Sequence, residues 1–204
     1  MTLCLLSVGS LAAQKKPKTP VRRTGRTLVK SIAPPKIETE NWQEFESNEL
    51  SLKLIFPKEP TLSENSYVEF GRFQVKSSII QSYINTDYYL VEVRQYPADA
   101  LPERDDLGES YGGWLKKYVL SRATIISEKT VNFGKYKLVE FVYQQSPNEV
   151  LIHRALVVGQ TLYQIMVQLE IKKPDTLEQT IEKNRGKIDK FFLSFELTEA
   201  GFAS

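Results

Sequence analysis

The stretch from residue 124 to residue 170 constrains the fold most. It holds four strand-like runs, 124–133, 137–145, 150–158 and 161–170, linked by Gly134-Lys135, Ser146-Pro147-Asn148-Glu149 and Gly159-Gln160. A parallel pair needs a crossover of about a dozen residues or more, so links this short demand antiparallel hairpins. Their glycines, proline and asparagine supply the turn chemistry. In the last run Tyr163, Ile165, Val167 and Leu169 share one face, while Leu162 and Met166 make the other partly apolar. Strands alternate faces residue by residue, so the sheet must be covered on both sides.

The first half of the chain reads in the same period. Leu50, Leu52, Leu54 and Phe56 alternate with Ser51, Lys53 and Ile55 until Pro57 and Pro60 stop the run. A strand over 66–70 turns at Gly71-Arg72 into a longer one over 73–84. The turn Asn85-Thr86-Asp87 leads to another over 88–96, closed by Pro97.

Two segments have helical spacing. Leu107, Tyr111, Trp114, Leu115, Tyr118, Val119 and Arg122 recur at threes and fours, with Asp106 and Glu109 placed as a capping box. Gly112-Gly113 weakens this helix by about 1 kcal/mol per glycine relative to Ala, and close packing on the sheet is the expected reason. The second helix starts with Asp175 and Glu178 as its capping pair and carries Leu177, Ile181, Ile188, Phe191, Phe192 and Phe195 on its apolar stripe. The fold class predicted is α+β: a mostly antiparallel sheet of six to eight strands with helices packed on its faces.

Charge divides the chain. Eight of the 27 bases lie between residues 14 and 36, where there is no acid, so the other 19 face all 25 acids and residues 37–204 carry a net −6. That basic segment also holds Pro17, Pro20, Pro34 and Pro35 and few large apolar groups, the composition of a flexible linker over 14–41. Ahead of it, residues 1–13 read as a signal-peptide-like segment, with Leu3, Leu5, Leu6, Val8 and Leu11 followed by Ala12-Ala13. No Lys or Arg precedes it, which points to a start further upstream. The domain is expected over 42–197, with 198–204 as a tail, in an extracytoplasmic (periplasmic or secreted) location. No later run reaches the roughly 18 apolar residues that cross a bilayer. Cys4 is the single cysteine and lies in the signal-like segment, so no disulfide or cysteine metal site is expected in the mature form.

The residues that could carry chemistry are few. Gly108-Glu109-Ser110-Tyr111-Gly112 matches G-x-S-x-G, and His153 follows in the chain order of a serine hydrolase, with Glu128, Glu140 or Glu149 available to orient it. That motif needs a buried strand running into a strained elbow. The residues ahead of Gly108 are acidic and proline-broken instead, so a glycine-bearing helix start is preferred and the hydrolase is kept as the alternative. His153 is the sole histidine, too few for a histidine metal site, and reads as an ordinary strand residue. Asp99, Glu103, Asp105, Asp106 and Glu109 depart from the spacing of a calcium loop and suit a helix start. No phosphate-binding glycine loop occurs, and neither a cofactor nor a metal is expected. Tyr83, Tyr88, Tyr89 and Tyr96 crowd one region of the sheet and are the candidate lining of a ligand or partner groove. Lys15, Lys16, Lys18, Arg22, Arg23 and Arg26 are the candidate contacts to an anionic envelope surface. Nucleic acid is not an expected partner of a body with net negative charge.

Four segments together resemble the PsbP/Mog-like extracytoplasmic domains, an α-β-α sandwich family with many uncharacterised bacterial members. They are LSLKLIFPKEP at 50–60, YLVEV at 89–93, IHRALVVGQTLYQ at 152–164 and IDKFFLSF at 188–195, and the resemblance extends over about 42–197. These are packing and turn patterns. The resemblance implies an extrinsic or adaptor-like role without catalysis and assigns no functional residue here. The function expected is therefore an exported, non-catalytic binding or accessory domain that engages a protein or small ligand through its sheet and helix surface.

Overall fold

A computed structural model describes residues 40–69, 71–98, 100–102 and 106–198. The described chain opens with two short strands, β1 (Gln43–Ser47) and β2 (Leu52–Phe56), paired antiparallel with Phe45 opposite Leu54. Next come β3 (Thr61–Glu69), β4 (Phe73–Ile84) and β5 (Asp87–Gln95). Helix α1 (Leu107–Trp114) runs on into a π-helical turn (Leu115–Val119) and a 3₁₀ turn (Leu120–Arg122). The predicted hairpins follow as β6 (Thr124–Phe133), β7 (Tyr136–Gln144), β8 (Glu149–Val158) and β9 (Thr161–Glu170). Helix α2 (Leu177–Leu193) and the two-residue β10 (Glu196–Leu197) close the domain.

The seven long strands form one sheet in the order β3-β4-β5-β9-β8-β7-β6, and β1, β2 and β10 form a second. Every pair is antiparallel. The architecture is the predicted α+β one, with a seven-stranded main sheet. Gly134 and Gly159 take φ of 59° and 55°, the left-handed conformation that two-residue hairpin turns require.

The main sheet has a core on each face. On one, Tyr163, Ile165, Val167 and Leu169 of β9 meet Leu52, Leu54 and Phe56 of β2 and Phe191 of α2, all 2 % exposed or less. On the other, Val75, Leu162, Phe141 and Val139 pack beneath Leu115 and Leu120. Strand β5 lies mid-sheet and β6 at its edge, so the connection between them must cross β9, β8 and β7. Helix α1 is part of that crossing and packs on β7 and β8.

Glycine permits its close approach. A Cβ on Gly108 would stand 1.8 Å from the Lys137 carbonyl oxygen, and one on Gly112 would stand 2.8 Å from Val139 Cγ1. Close packing was expected of Gly112 and Gly113, but Gly113 faces open space and Gly108 takes its place. Two further expectations shift. The α2 capping box is Thr176 with Gln179, one residue later than Asp175 with Glu178, and Asp175 instead pairs with Lys183 at 2.6 Å. At α1 the Asp106 side chain makes no capping hydrogen bond. Strands β1 and β10 and the front half of β3 lie outside the predicted strands.

Candidate functional site

Among the described residues, two of the depressions along the main sheet lie on opposite faces. The larger, about 640 Å³, lies between α2 and the β6–β8 end of the sheet. Val142 and Ile152 form its floor, and Leu177, Ile181 and Ile188 of α2 form its far wall. The hairpin registers bring Lys129 opposite Glu140 and Glu140 opposite Arg154, setting a row of three charges across β6, β7 and β8. Lys129 Nζ lies 2.8 Å from Glu140 Oε1, and Arg154 Nε lies 2.6 Å from Glu140 Oε2. Burial pushes the Glu140 carboxyl up, but hydrogen bonds and charge from Lys129 and Arg154 outweigh it and hold the group below its usual range. The Arg154 guanidinium sits 4.1 Å above the Phe192 ring, so a cation–π contact tethers the sheet's charge to the end of α2. Along the groove's outer side β6 pairs, among the described residues, with β7 alone and is exposed over almost its whole length.

The smaller depression, about 310 Å³, lies on the opposite face against α1. At one end is a buried polar network. The Glu92 carboxylate accepts from Ser77 Oγ (2.9 Å), Arg94 Nε (2.8 Å), Arg94 Nη2 (3.0 Å) and Gln164 Nε2 (2.7 Å). Arg94 Nη1 donates to Glu69 at 3.2 Å, Tyr96 Oη to the other Glu69 oxygen at 2.7 Å, and Tyr111 Oη to Gln164 Oε1 at 3.1 Å. His153 lines the same pocket, 6 % exposed, and among the described residues neither of its ring nitrogens meets hydrogen-bond geometry with a partner. Burial pushes its pKa down to about 4, against the opposing pull of the Glu92 charge and of the Gln164 side chain, which is close enough to act on the ring although it does not meet hydrogen-bond geometry.

The structure separates the four tyrosines. Tyr83 and Tyr88 face each other across β4 and β5 and stack at 4.3 Å, with Tyr83 57 % exposed. Tyr89 points to the other face, fully buried against Phe191 and Trp42. Tyr96 is buried in the α1-side core and spends its hydroxyl on Glu69. Only the first two form a common surface. Ser110 is the fourth residue of α1, on a regular helical turn whose amide bonds to the Asp106 carbonyl, and neither His153 nitrogen bonds to it or to an acid. Among the described residues no three His, Cys, Asp or Glu side chains gather as a metal cluster, and no helix is long and apolar enough to cross a membrane. Asp99, Glu103 and Asp105, and the basic set Lys15, Lys16, Lys18, Arg22, Arg23 and Arg26, lie outside the described residues.

Sequence reasoning missed the charge row and the Glu92–Arg94 network. The first had a usable signal, because the Gly134-Lys135 turn fixes Lys129 opposite Glu140. The second depends on the pairing of β5 with β9, which no turn sets.

No protein-family profile matches the chain, and no curated protein matches it. Among solved structures it is similar to the solution structure of cyanobacterial PsbP (CyanoP) from Synechocystis sp. PCC 6803. The likeness has a TM-score of 0.47 at 12 % identity and covers 82 % of this chain and 98 % of that one.

Proposed function

We propose that the chain is an exported, non-catalytic binding domain that holds an extended segment of a protein partner in the groove between α2 and β6–β8. The observation that carries this reading is the groove itself, open along a strand edge that no other described strand pairs with. The outer edge of β6 offers main-chain donors and acceptors to an incoming strand, as in recognition by strand addition. Beside it, the Lys129–Glu140–Arg154 row gives alternating charge over an apolar floor, which suits a segment of mixed charge. A non-catalytic role is supported by the helical setting of Ser110 and the unbonded nitrogens of His153. Export is supported by the apolar run and small residues of 1–13.

The test is site-specific photo-crosslinking of the full chain in its native envelope fraction. A photoreactive residue replacing Ile126 or Arg185, both lining the groove, is expected to trap a discrete partner. The same residue at Gly113, on the open side of α1, is expected to trap nothing. Equal capture from both faces, or none from the groove, rejects the reading. Labelling of Ser110 by a fluorophosphonate would replace it with the hydrolase.

A further inference from the structure

We infer that the pocket against α1 is a second binding site, which takes a small uncharged ring compound bearing an amide-type edge, a hydrogen-bond donor beside an acceptor. It faces away from the groove. Tyr143, Leu151 and His153 line the pocket, whereas Val142, Ile152 and Arg154 line the groove, and adjacent strand residues point to opposite sides.

His153 sets the ligand's polarity. A neutral imidazole carries one N–H donor and one bare nitrogen acceptor. Among the described residues no group meets hydrogen-bond geometry with either nitrogen, the nearby Gln164 side chain included, and burying them so costs free energy that a ligand supplying the complements would recover. The ring stays neutral down to about pH 4, so it carries that donor–acceptor pair and no positive charge at ordinary pH, and a ligand reaches the two solvent-closed nitrogens by displacing the side chains of the pocket wall.

Charge is excluded by how the neighbours are occupied. Four donors fill the Glu92 carboxylate, and Arg94 is divided between Glu92 and Glu69. Two carboxylates surround a single guanidinium, so an added anion meets net negative charge. An added cation finds the Glu92 oxygens already taken. A neutral molecule pays neither penalty.

Shape sets the rest. Tyr111 and Trp114 stack at 5.4 Å with 30° between their planes, and the pocket wall continues through Leu115, Tyr143, Leu151 and Met166. A flat ring packs on such a wall while its polar edge turns to His153 and the Gln164 amide. The volume of about 310 Å³ is at the lower end of small-molecule sites and suits a compound of one or two rings.

The test uses nicotinamide as the neutral probe, nicotinate as its anionic counterpart and glucose as a hydroxyl-bearing ring. His153 is the only histidine, so its two imidazole nitrogen resonances can be followed in the wild-type chain without any substitution. Nicotinamide is expected to shift both resonances with Kd on the order of 1 mM, the range for so small a ligand. Nicotinate is expected to bind at least about tenfold more weakly, a difference of about 1.4 kcal/mol. His153→Phe should abolish nicotinamide binding by equilibrium dialysis. Unshifted His153 resonances near the solubility limit of nicotinamide, equal binding of nicotinate, a response to glucose in its place, or undiminished binding by a folded His153→Phe chain would each overturn the assignment.

Discussion

Glu140 and Arg154 face each other across β7 and β8, with Arg154 Nε 2.6 Å from Glu140 Oε2 and only 8 % of the Glu140 side chain exposed. Removing the carboxylate leaves Lys129 and Arg154 pointing at each other over an apolar floor. Glu140→Gln is therefore expected to destabilise by about 2–3 kcal/mol, below the value for a fully buried pair because Lys129 and Arg154 reach solvent. Replacing both partners, as Glu140→Gln with Arg154→Met, should cost less than the two single effects together, by about 1–2 kcal/mol. Urea titration of the four chains checks this, and strict additivity would mean the pair does not interact.

The pH dependence has the same sign at the two sites, stability falling as pH falls, but its window differs. His153 has a folded pKa of about 4 against an ordinary 6.5, so the unfolded chain takes up a proton first as pH falls. Its contribution is fully present above pH 6.5, is lost between 6.5 and about 4, and then levels off. The loss is up to about 3 kcal/mol for a shift of this size. His153→Phe should flatten stability over that window. Glu140 is also depressed, so its contribution is full above its unfolded value of 4.5 and disappears at lower pH. Denaturation midpoints from pH 7 to pH 3 separate the two. A wild-type profile flat from 6.5 to 4 would contradict the buried neutral imidazole.

Legibility in the sequence followed distance along the chain. The hairpins at Gly134-Lys135 and Gly159-Gln160 could be read because two residues of turn chemistry fix a register. Strands β1 and β10 could not, since each holds a single large apolar residue, Phe45 and Leu197, and one such residue shows no period. At the start of α2 the expected capping pair Asp175 with Glu178 gives way to Thr176 with Gln179, one residue later. Gln164 meets Glu92 across 72 residues, so the polar network follows from the whole sheet order and from no local pattern. The grouping of four tyrosines failed for a simpler reason: Tyr88 and Tyr89 are neighbours in a strand and point to opposite faces.

Thr176 is the direct test of the α2 cap. Its Oγ1 accepts from the Gln179 amide at 3.3 Å, and the Gln179 side chain accepts from the Thr176 amide at 2.9 Å. Thr176→Ala should lower stability by about 1 kcal/mol. Asp175→Asn removes only an exposed pairing with Lys183 and should change it by a few tenths of a kcal/mol. Thermal unfolding of the two variants decides between the capping patterns, and the reverse ranking would restore Asp175.

Gly112 and Gly113 are adjacent in α1 and should respond to alanine in opposite directions. At Gly113 nothing lies within 4 Å of an added Cβ, so Gly113→Ala should stabilise by up to about 1 kcal/mol through helix propensity alone. At Gly112 the same methyl would come within 2.8 Å of Val139 Cγ1 and 3.0 Å of Cγ2, on a β-branched residue that is 3 % exposed and cannot swing away. Overpacking of that kind costs about 1–3 kcal/mol, so Gly112→Ala should destabilise on balance despite the propensity gain. Gly108→Ala should be worse, because the obstacle there is the Lys137 carbonyl in the backbone of β7. Chemical denaturation gives the ranking. A stabilised Gly112→Ala would mean that α1 stands further from the sheet than this packing requires, and the pocket it covers would lose its wall.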